Sequence, residues 1–509
     1  MPALRPRLAL SVALLLAAAP WSLAAQLPPL TAPKGLFRLD LGGRFDNWDR
    51  TFFAGTKRDA AADFIRDPIT GAWLPELAIA EQRLRELTGV QDIALSLGKT
   101  NANMLVNVGT EYLGAAYGLT KRLTLFGTLP YVRVRVQQVF SVDSTGGTAG
   151  FNPANPLFGT GATGFLTQLQ ITNTALSIRI QNGTYQGETL LLAQRLLATS
   201  SSLADFLSTA TFLPLAGTTA AAALTHSVDS LGTLLRDSLG LDLFSSVPDF
   251  PTTRLEPGSL ESFATNPNGP IQAEPFEPPI LRYIGDVEVG AAFAWLDHHP
   301  ASGPTFRSVL QGIVRLRTGK LDQPASLWDL STGDRQPDVQ GDLVTDLGMG
   351  RVGARVTARY VLQLPGRQQR RLTPPDQPIA AATTLATVER DPGEIIEGAL
   401  EPYVRIASHF AIAAGVRHWS KQADTYSYVP NQQPIADTSP DVLAVGSKEN
   451  GTVLSAALSF VHDGRRADGR TGAPIDAILR GELVTGSSEG RVPAKQSLSI
   501  MLRLYHKLF

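Results

Sequence analysis

One pattern constrains this chain more than any other. Long segments alternate apolar and polar residues with period two, and the polar face carries charge. From Gly35 to Trp48, Phe37, Leu39, Leu41 and Phe45 share one face, and Arg38, Asp40, Arg44 and Asp46 share the other. The same alternation recurs around Val287–Trp295, Leu310–Leu316, Val356–Leu364, Leu400–Ile406 and Ile475–Leu483. Such alternation marks strands with two unlike faces. A strand of roughly nine to eleven residues crosses a bilayer when tilted. Backbone groups in lipid must all be paired, so a spanning sheet must close on itself.

The expected fold is therefore an all-β membrane protein, a closed antiparallel outer-membrane β-barrel. Twelve strands are predicted, near 35–48, 101–119, 122–141, 281–297, 304–319, 339–350, 354–365, 395–406, 409–420, 450–462, 474–486 and 494–508. Ten or fourteen strands are the nearest alternatives. Short joins such as "LTKR", "GRVG" and "IASH" alternate with long polar ones, which places both termini in the periplasm.

The first residues agree with export. Arg5 and Arg7 precede the apolar run "LALSVALLLAAAP" and the small residues of "SLAAQ", the pattern of a signal peptide over residues 1–25. With no cysteine, the chain can form no disulfide or thiolate metal site. Its 45 basic and 46 acidic residues nearly balance, so no nucleic-acid partner is expected.

Three further regions follow: barrel over 26–140, an insert over 141–280, and barrel again over 281–509. The first loop contains "LPELAIAEQRLRELTG", with leucines at helical spacing and Gly89 as C-cap. The large insert opens rich in Gly, Thr, Asn and Pro, with Phe151, Phe158 and Phe165. It reads as helical through "GETLLLAQRLLATSSSLADFLSTATFLPL" and "THSVDSLGTLLRDSLGLDLF", then ends in an acidic, proline-rich linker. These helices are amphipathic rather than spanning and would form a cap or a plug.

In "YGLTKRLTLFGTLPYVRVRV" the apolar parity changes at Pro130. A bulge there would turn Val132, Val134 and Val136 to lipid and Arg133 and Arg135 to the lumen. The lumen-lining set expected from the alternation is Arg133, Arg135, Arg282, Asp286, Glu288, Arg315, Arg317, Arg355, Arg359, Glu397, Glu401, Arg405, Arg480 and Glu482. Mixed charge of this kind lines a wet pore or fills a narrow barrel with ion pairs.

Tyr117-Gly118-Leu119, Pro130-Tyr131-Val132, Gly285-Asp286-Val287 and Thr318-Gly319-Lys320 together resemble the outer-membrane barrels of the phenol-degradation meta-pathway group, related to long-chain fatty-acid transporter barrels. "GDLVTDLGMGR" fits that group's next strand. The resemblance implies a passive transporter for small apolar or aromatic molecules, without catalytic residues or cofactor. The terminal Phe509 resembles the signal read by the barrel-assembly machinery, although Arg503 and Lys507 occupy the parity where that signal wants apolar residues. Expected partners are this machinery, outer-membrane lipid, lipopolysaccharide and a small hydrophobic ligand.

Catalytic patterns are weak. "GSSEG" (486–490) matches a nucleophile elbow but follows a barrel strand. "GTGATG" (159–164) lacks the strand and helix of a dinucleotide site. His298 and His299 are adjacent on a turn and make a poor metal pair. Two other functions stay open: a closed barrel that displays its insert to a partner, and a phospholipase using His418 or His462.

Overall fold

The computed structural model describes residues 27–507 apart from 160, 162, 243–246, 279, 301–302 and 465–471. The signal-peptide reading and Phe509 lie outside the described residues. Twelve strands form the wall: β1 (Leu36–Trp48), β2 (Lys99–Gly118), β3 (Leu123–Asp143), β4 (Glu288–His298), β5 (Thr305–Arg315), β6 (Asp338–Met349), β7 (Val352–Gln363), β8 (Ile395–Arg405), β9 (Phe410–Lys421), β10 (Glu449–His462), β11 (Ile475–Gly486) and β12 (Gln496–Lys507). Each pairs antiparallel with its chain neighbours, and β1 pairs with β12 to close the barrel. The register sets Leu36 beside Lys507 and Phe37 beside Tyr117, so both described ends and the short turns share one rim. The predicted strand count and spans agree with these to within a few residues, β4 excepted.

The expected start of β4 is interrupted. Leu281–Ile284 pairs with Tyr131–Val134 of β3, whereas β4 itself pairs with Leu123–Thr128. The break at Gly285–Val287 lies across from Leu129 and Pro130. Proline has no N–H to offer a neighbouring strand, so the ladder is interrupted where it has least to lose. The Gly285 N–H still donates to the Pro130 carbonyl at 2.9 Å.

Outside, the wall carries Leu41, Phe45, Leu113, Leu310, Leu343, Val356, Leu400, Ile412, Leu458 and Ile500, all exposed. This is the apolar belt that a hydrocarbon surround requires. Among the described residues no helix is long and apolar enough to cross a membrane.

β2 and β3 are 20 and 21 residues long, against 11–14 for the other wall strands. They rise above their neighbours as a hairpin, and here the expected facing is corrected. No change of phase occurs at Pro130, which pairs with Tyr112 in an unbroken β2–β3 register. Val132, Val134 and Val136 point inward and are buried, while Arg133 and Arg135 are exposed on the outer face. Above the belt, the hairpin's inner face meets packed helices instead of water. The valines therefore gain more burial inside than out.

Those helices form a cap. They are α1 (Pro75–Thr88), α2 (Gly164–Gln181), α3 (Gly187–Thr209), α4 (Thr219–Leu239) and the short α5 (Ser259–Thr265). α1 ends as expected at Gly89, in the left-handed region with φ 73°. α2 was not expected. Its Thr and Ile content obscured Leu166, Leu169, Thr172 and Leu176, which are buried at helical spacing, and Thr163 caps it. The expected acidic linker is also corrected. It contributes α5 and buries Phe263, Ile271 and Phe276. Phe151, Phe158, Phe212 and Phe263 stack together with ring centroids 5.2–6.1 Å apart.

One apolar core joins cap and wall. It runs from Leu77, Leu169 and Leu224 to Val106 and Val134, and includes Trp328 and Ile379 from loops elsewhere on the rim. Backbone bonds Glu274 N–H to Ala325 O (2.9 Å) and Ala382 N–H to Pro270 O (2.7 Å) tie the insert to the loops after β5 and β7. The insert thus reaches from the β2–β3 hairpin to the far loops of the same rim.

Phe263→Ala should destabilise the cap by about 3–5 kcal/mol while leaving the barrel folded. Limited proteolysis should cut 144–280 faster, with heat-modifiable gel mobility unchanged. Glu76, in the first turn of α1, is buried with one carboxyl oxygen unpaired. Burial pushes its carboxyl up to about 7 against the opposing pull of its own backbone N–H. A carboxyl raised by folding favours the folded state when protonated. Cap stability should therefore fall as pH rises from the ordinary glutamate range through about 7. Hydrogen exchange of α1 should report this, and Glu76→Gln should flatten the dependence.

Candidate functional site

The lumen is the candidate functional site, and strand alternation builds it. Inward residues of six strands form a continuous chain of ion pairs. Arg359 bonds Asp342 (2.9 Å) and Glu397 (3.2 Å). Arg417 bridges Glu397 (3.3 Å) to Glu482 (3.8 Å). Arg44 continues from Glu482 (3.2 Å) to Asp46 (2.8 Å). The chain passes from β6 through β7, β8, β9 and β11 to β1. Flanking pairs are Arg315 with Glu288 (3.0 Å) and Asp338 (2.6 Å), Arg355 with Asp346 (2.6 Å) and Arg480 with Glu401 (2.6 Å). Each guanidinium meets carboxylates of its own strand, a neighbouring strand or a strand farther round the wall, so the charges are balanced locally and the side chains are held in place.

Below this belt lies the segment Leu27–Lys34, which runs inside the barrel. Four inward arginines from four strands hold four consecutive residues. Arg355 donates to the Pro28 carbonyl (3.2 Å), Arg503 to Pro29 (2.9 Å) and Arg38 to Leu30 (3.3 Å), and Arg307 donates to the Thr31 hydroxyl. The Ala32 N–H donates to Thr124 Oγ1 at 2.9 Å. Leu27 buries against Tyr403, Ala411, Ala413 and Ala457, where small inward side chains leave room for it. Gly118 lets the segment leave the barrel, since a Cβ there would lie 2.0 Å from the Pro33 carbonyl oxygen. Above Leu30 a cavity of about 260 Å³ is lined by Asp342, Arg355, Arg359, Glu397, Arg417, Arg480 and Glu482.

Of the residues expected in the lumen, Glu288, Arg315, Arg355, Arg359, Glu397, Glu401, Arg480 and Glu482 sit on its wall in these pairs. Arg405 lies on the inner parity of β8 at the rim with short turns. Five lie elsewhere. Arg133, Arg135 and Arg282 are on the outer face, for the reason given above, and Arg317 is exposed in the loop after β5. Asp286 sits in the β4 break and accepts from the Gly319 N–H (2.7 Å) and the Asp334 N–H (3.2 Å). Thr318 Oγ1 donates to the Gly285 carbonyl at 2.6 Å and accepts from the Val287 N–H. The two motifs Gly285-Asp286-Val287 and Thr318-Gly319-Lys320 are thus one element that anchors a loop over the break.

Arg38, Asp40, Arg44 and Asp46, which share one face of their strand in the sequence but are outside the expected lumen set, also line the inner wall. Asp338, Asp342 and Asp346 were missed, although their spacing of four along β6 already places them on one face. Arg417 was also missed. The predicted serine motif sits in the β11–β12 loop, where Asn450 donates to Ser488 Oγ at 2.7 Å. His418 bonds Thr452 Oγ1 at 3.0 Å, and the His462 ring accepts from the Gly464 N–H. Among the described residues no cluster of three metal-ligating side chains occurs.

No family model matches the chain, and no curated protein matches it. Solved structures with a similar layout include an outer-membrane channel from Pseudomonas putida F1, at 9% identity over 94% of this chain and 100% of that one, with TM-score 0.42. The CymD monoaromatic hydrocarbon channel matches at 9% identity over 94% and 90%, with TM-score 0.26. The Pseudomonas putida toluene transporter TodX matches at 8% identity over 94% and 90%, also with TM-score 0.26. The barrel of this chain rests on its own strand pairing, not on these likenesses.

Removing Arg359 leaves Asp342 and Glu397, both buried, short of their shared cation. Arg359→Met should therefore cost about 2–3 kcal/mol, seen as a lower urea midpoint. Lys448→Ala breaks an exposed pair with Glu489 and should cost less than about 1 kcal/mol.

Proposed function

We propose that the protein is a passive outer-membrane channel for small apolar or aromatic molecules, gated by its Leu27–Lys34 segment. That segment is the observation that carries the reading. The ion-pair chain belongs to the wall, and breaking it would leave charges unpaired. The segment lies outside the barrel ladder and is held mainly through bonds to carbonyl and hydroxyl oxygens, which water can replace. A barrel built as a solid plug would need no separable floor beneath a cavity lined by charged side chains.

The substrate class rests on the resemblance carried by Tyr117-Gly118-Leu119 and Pro130-Tyr131-Val132. The cap adds a pocket of about 380 Å³ whose lining is mainly polar, with Glu256, Ser259 and Asn266 beside the half-buried Phe151 and Phe158. The apolar outer belt supports membrane insertion. The partners on this reading are outer-membrane lipid, lipopolysaccharide and the assembly machinery. Passive transport needs no cofactor or catalytic residue. The phospholipase alternative loses ground because, among the described residues, His418 bonds a threonine hydroxyl and the His462 ring accepts from a backbone N–H, and neither bonds a serine.

The test is planar-bilayer conductance of the refolded protein, intact, with residues 27–34 removed, and as Arg355→Ala/Arg503→Ala. Conductance should rise severalfold on deletion and show brief openings in the double variant. Silence from all three, with folding verified by gel mobility, would overturn the channel reading and leave the capped, closed barrel as a binding protein.

A further inference from the structure

Three of the four arginines expected in the lumen but found elsewhere share one place on the outer wall. Arg133 of β3 pairs in register with Arg282 on one side and Gly109 on the other, and Arg135 lies opposite Asn107. None of the three makes an ion pair or side-chain hydrogen bond with a described residue, unlike most inward arginines. They border an outer-face groove of about 1000 Å³. Its floor is made by Gly43 and Gly109, where an added Cβ would meet at most a backbone oxygen 3.9 Å away. Its far wall is apolar, formed by exposed Phe45, Leu498 and Ile500. One carboxylate, Glu111, shares the groove with the three guanidinium groups.

Height decides what meets this groove. Ten residues separate Leu123, at the short-turn rim, from Arg133. At the strand rise and tilt of such barrels this is about 25 Å, the height of the hydrocarbon belt. β8 ends at Ile395, ten residues from its own short-turn end at Arg405. Arg133 and Arg135 therefore stand at the upper edge of the belt, and the apolar wall lies within or just below it. An unpaired guanidinium facing hydrocarbon is unfavourable, whereas at the headgroup level it bonds phosphate through two parallel N–H groups.

We propose that this groove binds one phosphorylated glycolipid of the outer leaflet, lipid A, on the outside of the barrel. The arginines hold a phosphate, and an acyl chain lies along Phe45, Leu498 and Ile500. Gly43 and Gly109 are small because the chain passes over them. This extends the outer-membrane reading and depends on it only for where the lipid is met. The site is separate from the lumen.

The test uses the full chain in mild detergent and in nanodiscs. Lipid A retained through purification is counted by its 3-hydroxy fatty acids. Nanodisc protein is then titrated with bisphosphorylated lipid A, dephosphorylated lipid A and inorganic phosphate. Wild type should bind the bisphosphorylated form and lose at least about tenfold affinity for the dephosphorylated one. Inorganic phosphate should not compete, because it cannot use the apolar wall.

Arg133→Ala/Arg135→Ala/Arg282→Ala should weaken binding by about tenfold or more. Gly109→Trp should do the same with every arginine intact, since its side chain would fill the groove. Both variants should keep heat-modifiable mobility and unchanged conductance, which separates this site from the channel. Equal binding by wild type and both variants would overturn the proposal, as would equal affinity for the dephosphorylated lipid. Because the titration supplies the lipid, it decides the matter wherever the protein is recovered. A channel that conducts but binds no lipid A would leave the transport reading standing and this one refuted.

Discussion

A sheet that faces hydrocarbon has no solvent to satisfy its edges, and this is the constraint on which the rest of the structure depends. β1 must find β12, and the whole wall follows from that closure. Once closed, every strand has one side toward the exterior and one toward a narrow space that side chains must fill or water must enter. Charge on the inner side is tolerable only with partners close by. The chain from Asp342 through Arg359, Glu397, Arg417, Glu482 and Arg44 to Asp46 supplies them across the wall. Its members are neutralised by neighbours, so the lumen is polar without carrying a large net field.

The segment Leu27–Lys34 uses what that wall leaves over. Guanidinium groups have more donors than one carboxylate can take. The spare N–H groups of Arg355 and Arg38, both already paired to aspartates, reach the segment's carbonyls. Small inward residues such as Ala411 and Ala413 make the remaining space. The same excess of donors that steadies the wall therefore also closes its floor. The cap is held at the opposite rim by another means, burial of an apolar core against the tall β2–β3 hairpin.

The outer wall is not uniform. Around most of the circumference it is plainly apolar, but across β1, β2, β3 and Leu281–Ile284 two glycines open a groove edged with unpaired arginines. The β4 break lies beside it. Asp286 and Thr318 close the loop over that break with four hydrogen bonds, which keeps the wall continuous where the ladder is not.

Much of this was legible in the sequence. Period-two alternation located the strands, the short joins set the direction, and Gly89 marked the end of α1. Residues such as Arg315, Arg355, Arg359 and Glu397 could be assigned to the inner face because their alternating partners were apolar. Alternation says only that a strand has two unlike faces. Which of them turns outward depends on what each face meets, and for Val132–Val136 the inner face meets packed helices instead of water. That contact joins residues far apart in the chain, so only the tertiary structure decided it. The same holds for the segment in the lumen and for the meeting of Asp286 with Gly319. No local pattern encodes a hydrogen bond between residues more than three hundred positions apart, such as Arg355 and Pro28.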